Sequence, residues 1–132
     1  VGMLVCYEVI FPAHVADKKT RPYWLLNVTN DGWYGVSAGP YQHFATAQLR
    51  ATEEGLPLAR AANTGISGMI DAYGRVTKRL GLNEAGVVDA ELPRRTEQPT
   101  VYARFGNTVP LTLFASILIA ARLPRRKRKA EK

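Results

Sequence analysis

The sequence predicts a layered α/β domain, and three observations carry that prediction. Two short, β-compatible apolar runs, residues 1–5 and 23–29, each stop abruptly at polar residues: Cys6-Tyr7-Glu8 in the first case, Asn30-Asp31-Gly32 in the second. A stretch of helical periodicity then lies between Gly39-Pro40 and Gly55. After it come four more apolar runs, residues 58–62, 66–70, 76–80 and 87–92, with Ala72-Tyr73-Gly74-Arg75 as a hairpin turn between the second and third. Alternating strand and helix imply a parallel portion, and the hairpins imply an antiparallel continuation. Ligands of a parallel sheet bind at the carboxyl ends of its strands, which is where Cys6 and Asn30-Asp31 fall.

Taken in order, the first run reads as a buried strand ending at the chain's only cysteine. Residues 9–19 read as a helix start or a loop, closed by Arg21-Pro22. The second run is another buried strand. Residues 41–54 form a helix with Tyr41, Phe44, Ala45 and Leu49 on the face expected to meet the sheet, and Gly55 stops it. Residues 93–104, rich in proline and charge, read as a connector. Residues 105–121 carry no charge and reach roughly 25 Å as a helix, the lower limit for spanning a bilayer. Pro110 stands near the start of that segment, where a missing amide hydrogen does least harm. A basic cluster follows directly, as on the cytoplasmic side of a membrane span, so a single transmembrane helix is expected here and a buried core helix is the alternative.

Composition excludes several classes of function. With 132 residues, 46% hydrophobic and 22% charged, the chain can bury the core of one ordinary domain. One cysteine rules out an intrachain disulfide and a cysteine-rich zinc site. The net charge of +7 would suit a nucleic-acid partner were it spread over the fold, but residues 122–132 supply +6 of it. No nucleic-acid partner is expected. The chain opens on Val1 in what reads as mid-strand, without an initiator methionine, so it is expected to be the C-terminal part of a longer protein.

Cys6 is the first candidate for chemistry. A thiol at a strand end, with backbone amides turning toward it, can act as a nucleophile, although cysteine is also among the most buried residue types and position alone leaves inert packing open. Glu8 is either a group that orients a reacting partner or an acid favoured near a helix start. Trp33 and Tyr34 line a pocket or fill a core. Asn30 and Asp31 contact substrate or merely shape a turn. His14 and His43 are assigned to structure or surface, and Arg60 and Asn63 to the back wall of the site.

Four strings carry a resemblance: Cys6-Tyr7-Glu8, Asn30-Asp31-Gly32-Trp33-Tyr34-Gly35, Gly39-Pro40-Tyr41-Gln42-His43, and residues 60–67, Arg-Ala-Ala-Asn-Thr-Gly-Ile-Ser. Together they resemble the nitrilase superfamily, and within it the apolipoprotein N-acyltransferase branch. The resemblance implies an αββα sandwich, of which residues 1–104 are the C-terminal part, then a transmembrane helix at 105–121 and a cytoplasmic basic tail at 122–132. It implies a Glu-Lys-Cys triad whose glutamate and lysine lie upstream of Val1, with Cys6 as nucleophile, the Tyr7 backbone amide beside it and Glu8 in support. Asn30, Asp31, Trp33 and Tyr34 become substrate-binding residues. The implied partners are a phospholipid acyl donor, an apolipoprotein acceptor and the bacterial inner membrane, with the catalytic domain periplasmic. The resemblance calls for no cofactor and no metal. Two other readings remain at this point: a soluble nitrilase-type amidohydrolase, and a membrane-anchored module without activity.

Overall fold

The structure, a computed structural model, describes residues 1–122. Strand β1 (Gly2–Val5) runs into a 3-10 turn at Cys6–Ile10, and β2 (Leu25–Asn30) into another at Gly32–Tyr34. Helix α1 (Gly39–Glu54) leads to β3 (Leu58–Asn63), β4 (Ser67–Ile70) and β5 (Val76–Leu80). Two helices follow, α2 (Val101–Phe105) and α3 (Thr108–Arg122). The strands form one sheet in chain order; β1, β2 and β3 are parallel, while β3, β4 and β5 are antiparallel. The mixed α/β class and the change of strand direction are as expected from the sequence. Residues 87–92 form no strand, contrary to expectation. Val87 is 86% exposed and Leu92 46%, while Val88 and Ala90 are only partly buried, so the run lacks the alternating buried face that holds a strand in a sheet.

Register aligns Gly2, Leu25, Leu58 and Ile70 in one row across the sheet, and Leu4, Asn27, Arg60 and Gly68 in the next row on the same face. Helix α1 covers that face. Pro40 in its first turn and Gly55 at its end fix its limits, the glycine adopting φ 64° while its amide donates to the carbonyls of Ala51 and Thr52. The buried stripe is Pro40, His43, Phe44, Ala47, Arg50, Ala51 and Glu54. Of the four residues expected to meet the sheet only Phe44 does so; Tyr41 and Leu49 are more than half exposed. The helix is rotated because Ala47 and Ala51 let it approach the sheet closely, and because His43 pairs with Asp31 and one Arg50 nitrogen with Glu53.

Residues 93–104 are tied to the carboxyl end of α1. The Arg21 guanidinium donates to the carbonyls of Glu54 (3.0 Å), Gly55 (3.1 Å) and Thr96 (3.2 Å), and the Thr100 hydroxyl donates to the Glu53 carbonyl. These donors satisfy carbonyls that a helix end leaves without partners. Thr100 also caps α2, which ends at Gly106 with φ 55°. That break separates Phe105 from the 15 residues of α3, about 22 Å at the helical rise. The continuous helix expected over 105–121 therefore begins three residues late. No helix among the described residues is long and apolar enough to cross a membrane. The basic tail lies, from residue 123 on, outside the described residues.

Gly55→Ala tests the strap. A Cβ there would sit 2.3 Å from the Thr96 hydroxyl oxygen, on a backbone that L-residues adopt at a cost of about 1–2 kcal/mol. The expected outcome is a drop in melting temperature corresponding to at least that cost, read by thermal denaturation of the full-length protein.

Candidate active site

The three parallel strands end together, and the turns that leave them build the site. Cys6 follows β1 directly and adopts φ 50°, a left-handed conformation that costs a non-glycine residue about 1–2 kcal/mol. Such a backbone is kept only where the surroundings enforce it. Cys6 is partly buried, and the Tyr7 ring beyond it is half exposed. The Glu8 carboxylate accepts from the Val5 amide at 2.7 Å, so it folds back over the turn and caps it. A cleft of about 920 Å³ opens on the Glu8 side, lined by Met3, Leu4, Glu8, Phe11 and Val15; Cys6 is not part of its wall.

Behind the turn lies a closed polar string. Asp31, after β2, is 1% exposed. Its Oδ2 accepts from Arg60 Nη2 at 2.8 Å and its Oδ1 from His43 Nδ1 at 2.9 Å. Arg60 Nε donates to the Ile66 carbonyl at 3.3 Å, and Nη1 donates to Asn27 Oδ1. The Asn27 amide nitrogen then donates to the carbonyls of Leu4 (3.1 Å) and Cys6 (3.4 Å). Gly65 is required here, since a Cβ on it would lie 2.2 Å from Asp31 Oδ2.

The charges follow from burial. Desolvation pulls Arg60 below its ordinary pKa against the opposing pull of Asp31. Burial also holds His43 below the usual imidazole range, the Arg60 charge acting in the same sense and Asp31 against it. Neutral His43 donates from Nδ1 to Asp31, which leaves Nε2 buried with no protein partner. On the outer side Tyr7 stacks on the His43 ring (5.5 Å between centroids, 27°) and meets Tyr34 edge-on (6.2 Å, 71°). The Tyr34 phenol is pushed up to about 12, by burial first and then by Tyr7.

Of the residues singled out in the sequence, Cys6, Tyr7, Glu8 and Tyr34 gather around the first turn. Trp33 stands apart, 78% exposed. Asn30 shapes a turn, accepting from the Gly32 amide at 3.0 Å and from Asn63 Nδ2 at 3.2 Å. Asp31 does not face solvent or the cleft; as placed, it grips Arg60 and His43 rather than a substrate. His43, expected in structure or at the surface, is buried, and its stacking on Tyr7 was not legible. Asn27 went unnoticed altogether, and its signal was a lone polar residue inside the apolar run Leu-Leu-Asn-Val.

His43 makes stability depend on pH. Its folded pKa lies below the ordinary 6.5, so as pH falls through that value the unfolded chain takes up a proton that the folded chain refuses. Its contribution is present above pH 6.5 and lost on acidification. The melting temperature should therefore fall between pH 7.5 and 5.5, and fall less in His43→Gln.

Residues 1–102 match the carbon-nitrogen hydrolase family. The chain is 50% identical over 123 residues to the apolipoprotein N-acyltransferase of Rhodopseudomonas palustris, covering 93% of this chain and 23% of that protein. It is 52% identical over 120 residues to the apolipoprotein N-acyltransferase of Bradyrhizobium diazoefficiens (90% and 22%), and 48% identical over 117 residues to that of Rickettsia bellii (88% and 23%). The chain thus spans less than a quarter of the length of these relatives. The match over residues 1–102 covers most of the chain, whose parallel strands converge on a cysteine turn, and the chain belongs to the carbon-nitrogen hydrolase family.

Proposed function

We propose that Cys6 is the nucleophile of an N-acyltransferase that moves an acyl chain from a phospholipid to the N-terminal amine of a diacylglyceryl-cysteine apolipoprotein. The observation that carries this reading is the left-handed turn at Cys6, at the carboxyl edge of parallel strands, in a chain half identical to proteins named for that activity. The Cys6 thiolate attacks the ester carbonyl; a carbon–sulfur bond forms, the carbon–oxygen bond breaks and lysophospholipid leaves. The acceptor amine then attacks the thioester, forming the amide and returning the thiol. A tetrahedral oxyanion forms in each half-reaction, and we assign the Tyr7 backbone amide as a donor to it. The base glutamate and oxyanion lysine belong, on this reading, to a part of the protein upstream of Val1.

In this arrangement Tyr7, Tyr34 and the exposed Trp33 offer the apolar contact for donor or acceptor. Asn30 orders the loop bearing Trp33 and Tyr34, and Asp31 acts through Arg60 and His43. The other face of the sheet leaves Met3 and Val5 more than half exposed, which suits the second sheet of an αββα sandwich. Helix α3, exposed throughout the described structure and uncharged up to Ala121, is the segment we assign to the inner membrane, with the domain periplasmic and the tail cytoplasmic. An amidohydrolase of the same family would give the acyl group to water instead.

In the full-length protein, Cys6→Ala and Cys6→Ser should abolish transfer of a labelled phospholipid acyl chain to the protein and onward to an apolipoprotein peptide. Label retained on Cys6→Ala removes the nucleophile from the model, and release of free fatty acid alone from the parent favours the amidohydrolase. Glu8→Gln keeps an oxygen to accept from Val5 and should leave the melting temperature unchanged. If the negative charge acts on the chemistry, single-turnover acylation should slow on the order of a hundredfold, roughly 2.7 kcal/mol. A parental rate makes Glu8 a cap only.

A further inference from the structure

We infer that Asn27 is a positioning residue for the nucleophile: its side-chain amide, oriented by Arg60, holds the backbone of Cys6 in its left-handed turn. This rests on the reading of Cys6 as nucleophile. Asn27 lies in the middle of β2, on the covered face, in register with Leu4 on one side and Arg60 on the other. It is fully buried, between apolar Leu4 and the buried guanidinium of Arg60. A buried amide there is costly unless every polar atom is used. Here the oxygen accepts from Arg60, and the nitrogen donates to the last buried carbonyl of β1, at Leu4, and to the carbonyl of Cys6.

The orientation of that amide is not free. Arginine only donates, so the atom facing Arg60 must be the oxygen, and the nitrogen is left to face the two carbonyls. Arg60 is fixed in turn by Asp31 and by the Ile66 carbonyl. Asn27 thus joins two carbonyls on either side of Val5, across the point where the backbone leaves extended geometry for φ 50° at Cys6. Across the trans Cys6–Tyr7 peptide the carbonyl and the amide hydrogen point in opposite directions, so holding the Cys6 carbonyl toward Asn27 directs the Tyr7 amide away from it, while His43 packs against the Tyr7 ring. No side-chain atom of Asn27 touches a reacting group; its effect passes through the position of the Cys6 thiol and the Tyr7 amide.

The discriminating variant is Asn27→Asp. A carboxylate keeps an acceptor for Arg60 but presents a second oxygen to the Leu4 and Cys6 carbonyls, so the contact that holds the turn becomes repulsive while the ion-pairing group remains. In the full-length protein with labelled phospholipid vesicles, single-turnover acylation should fall about a hundredfold with KM within about twofold, the pattern of lost alignment rather than lost binding. Leu25→Ala, an apolar core change in the neighbouring row, should lower the melting temperature while leaving acylation well below that temperature near the parental rate. If Asn27→Asp fails to fold, Asn27→Ser replaces it. Its single hydroxyl cannot reach both carbonyls, and a fall of about tenfold is expected on the folded fraction. Acylation within threefold of the parent in the folded variant overturns the inference, provided Cys6→Ala is inert in the same assay. Label on Cys6→Ala would instead remove the nucleophile assignment on which it rests.

Discussion

The buried ion pair between Arg60 and Asp31 is the constraint on which the site depends. Both side chains are wholly enclosed, 2.8 Å apart. Two charges withdrawn from water are tolerated only when their remaining donors and acceptors are used, and here His43, Asn27 and the Ile66 carbonyl use them. The participants come from different elements: Asn27 from β2, Asp31 from the turn after it, Arg60 from β3, His43 from α1. They meet only when the parallel strands are in register and α1 is seated at the right rotation. Loss of one partner would leave an uncompensated charge in the interior, so the polar string enforces the geometry it occupies.

The covered face of the sheet accordingly divides into two rows with different tasks. The row of Gly2, Leu25, Leu58 and Ile70 is apolar and closes against the helix by ordinary packing. The adjacent row of Leu4, Asn27, Arg60 and Gly68 is polar at its centre and closes by hydrogen bonds. Adhesion and alignment therefore sit side by side, one residue pair apart along each strand, with α1 spanning both through its alanines and His43. Its far end is held by Arg21 and Thr100.

What the sequence made legible follows the same division. Strands β1 and β2 could be read from their apolar runs, and the limits of α1 from Pro40 and Gly55, because those signals are local and chemical. The face of α1 could not. Bulk and apolarity pointed to Tyr41 and Leu49, whereas close packing chose alanines, and His43 on the same stripe is held by Asp31, which lies outside the helix. Asn27 and Arg60 are 33 residues apart, and nothing within either strand announces the other. Residues 87–92 have the pattern of a strand but pair with none of the five strands of the sheet. The uncharged run at 105–121 concealed the break at Gly106, whose left-handed backbone composition does not disclose.

The backbone at Cys6 also filters which nucleophiles the fold can try. A β-branched side chain crowds a left-handed backbone, so such a residue needs a local partner to hold it, as Thr64 has at φ 58° where its hydroxyl donates to the Asn63 carbonyl. Serine fits the Cys6 backbone as well as cysteine does; threonine there would need a partner of that kind. Exchange among nucleophiles is thus weighted by shape before reactivity is tested, and a lineage built on this turn reaches thiol and primary hydroxyl chemistry more readily than a secondary alcohol.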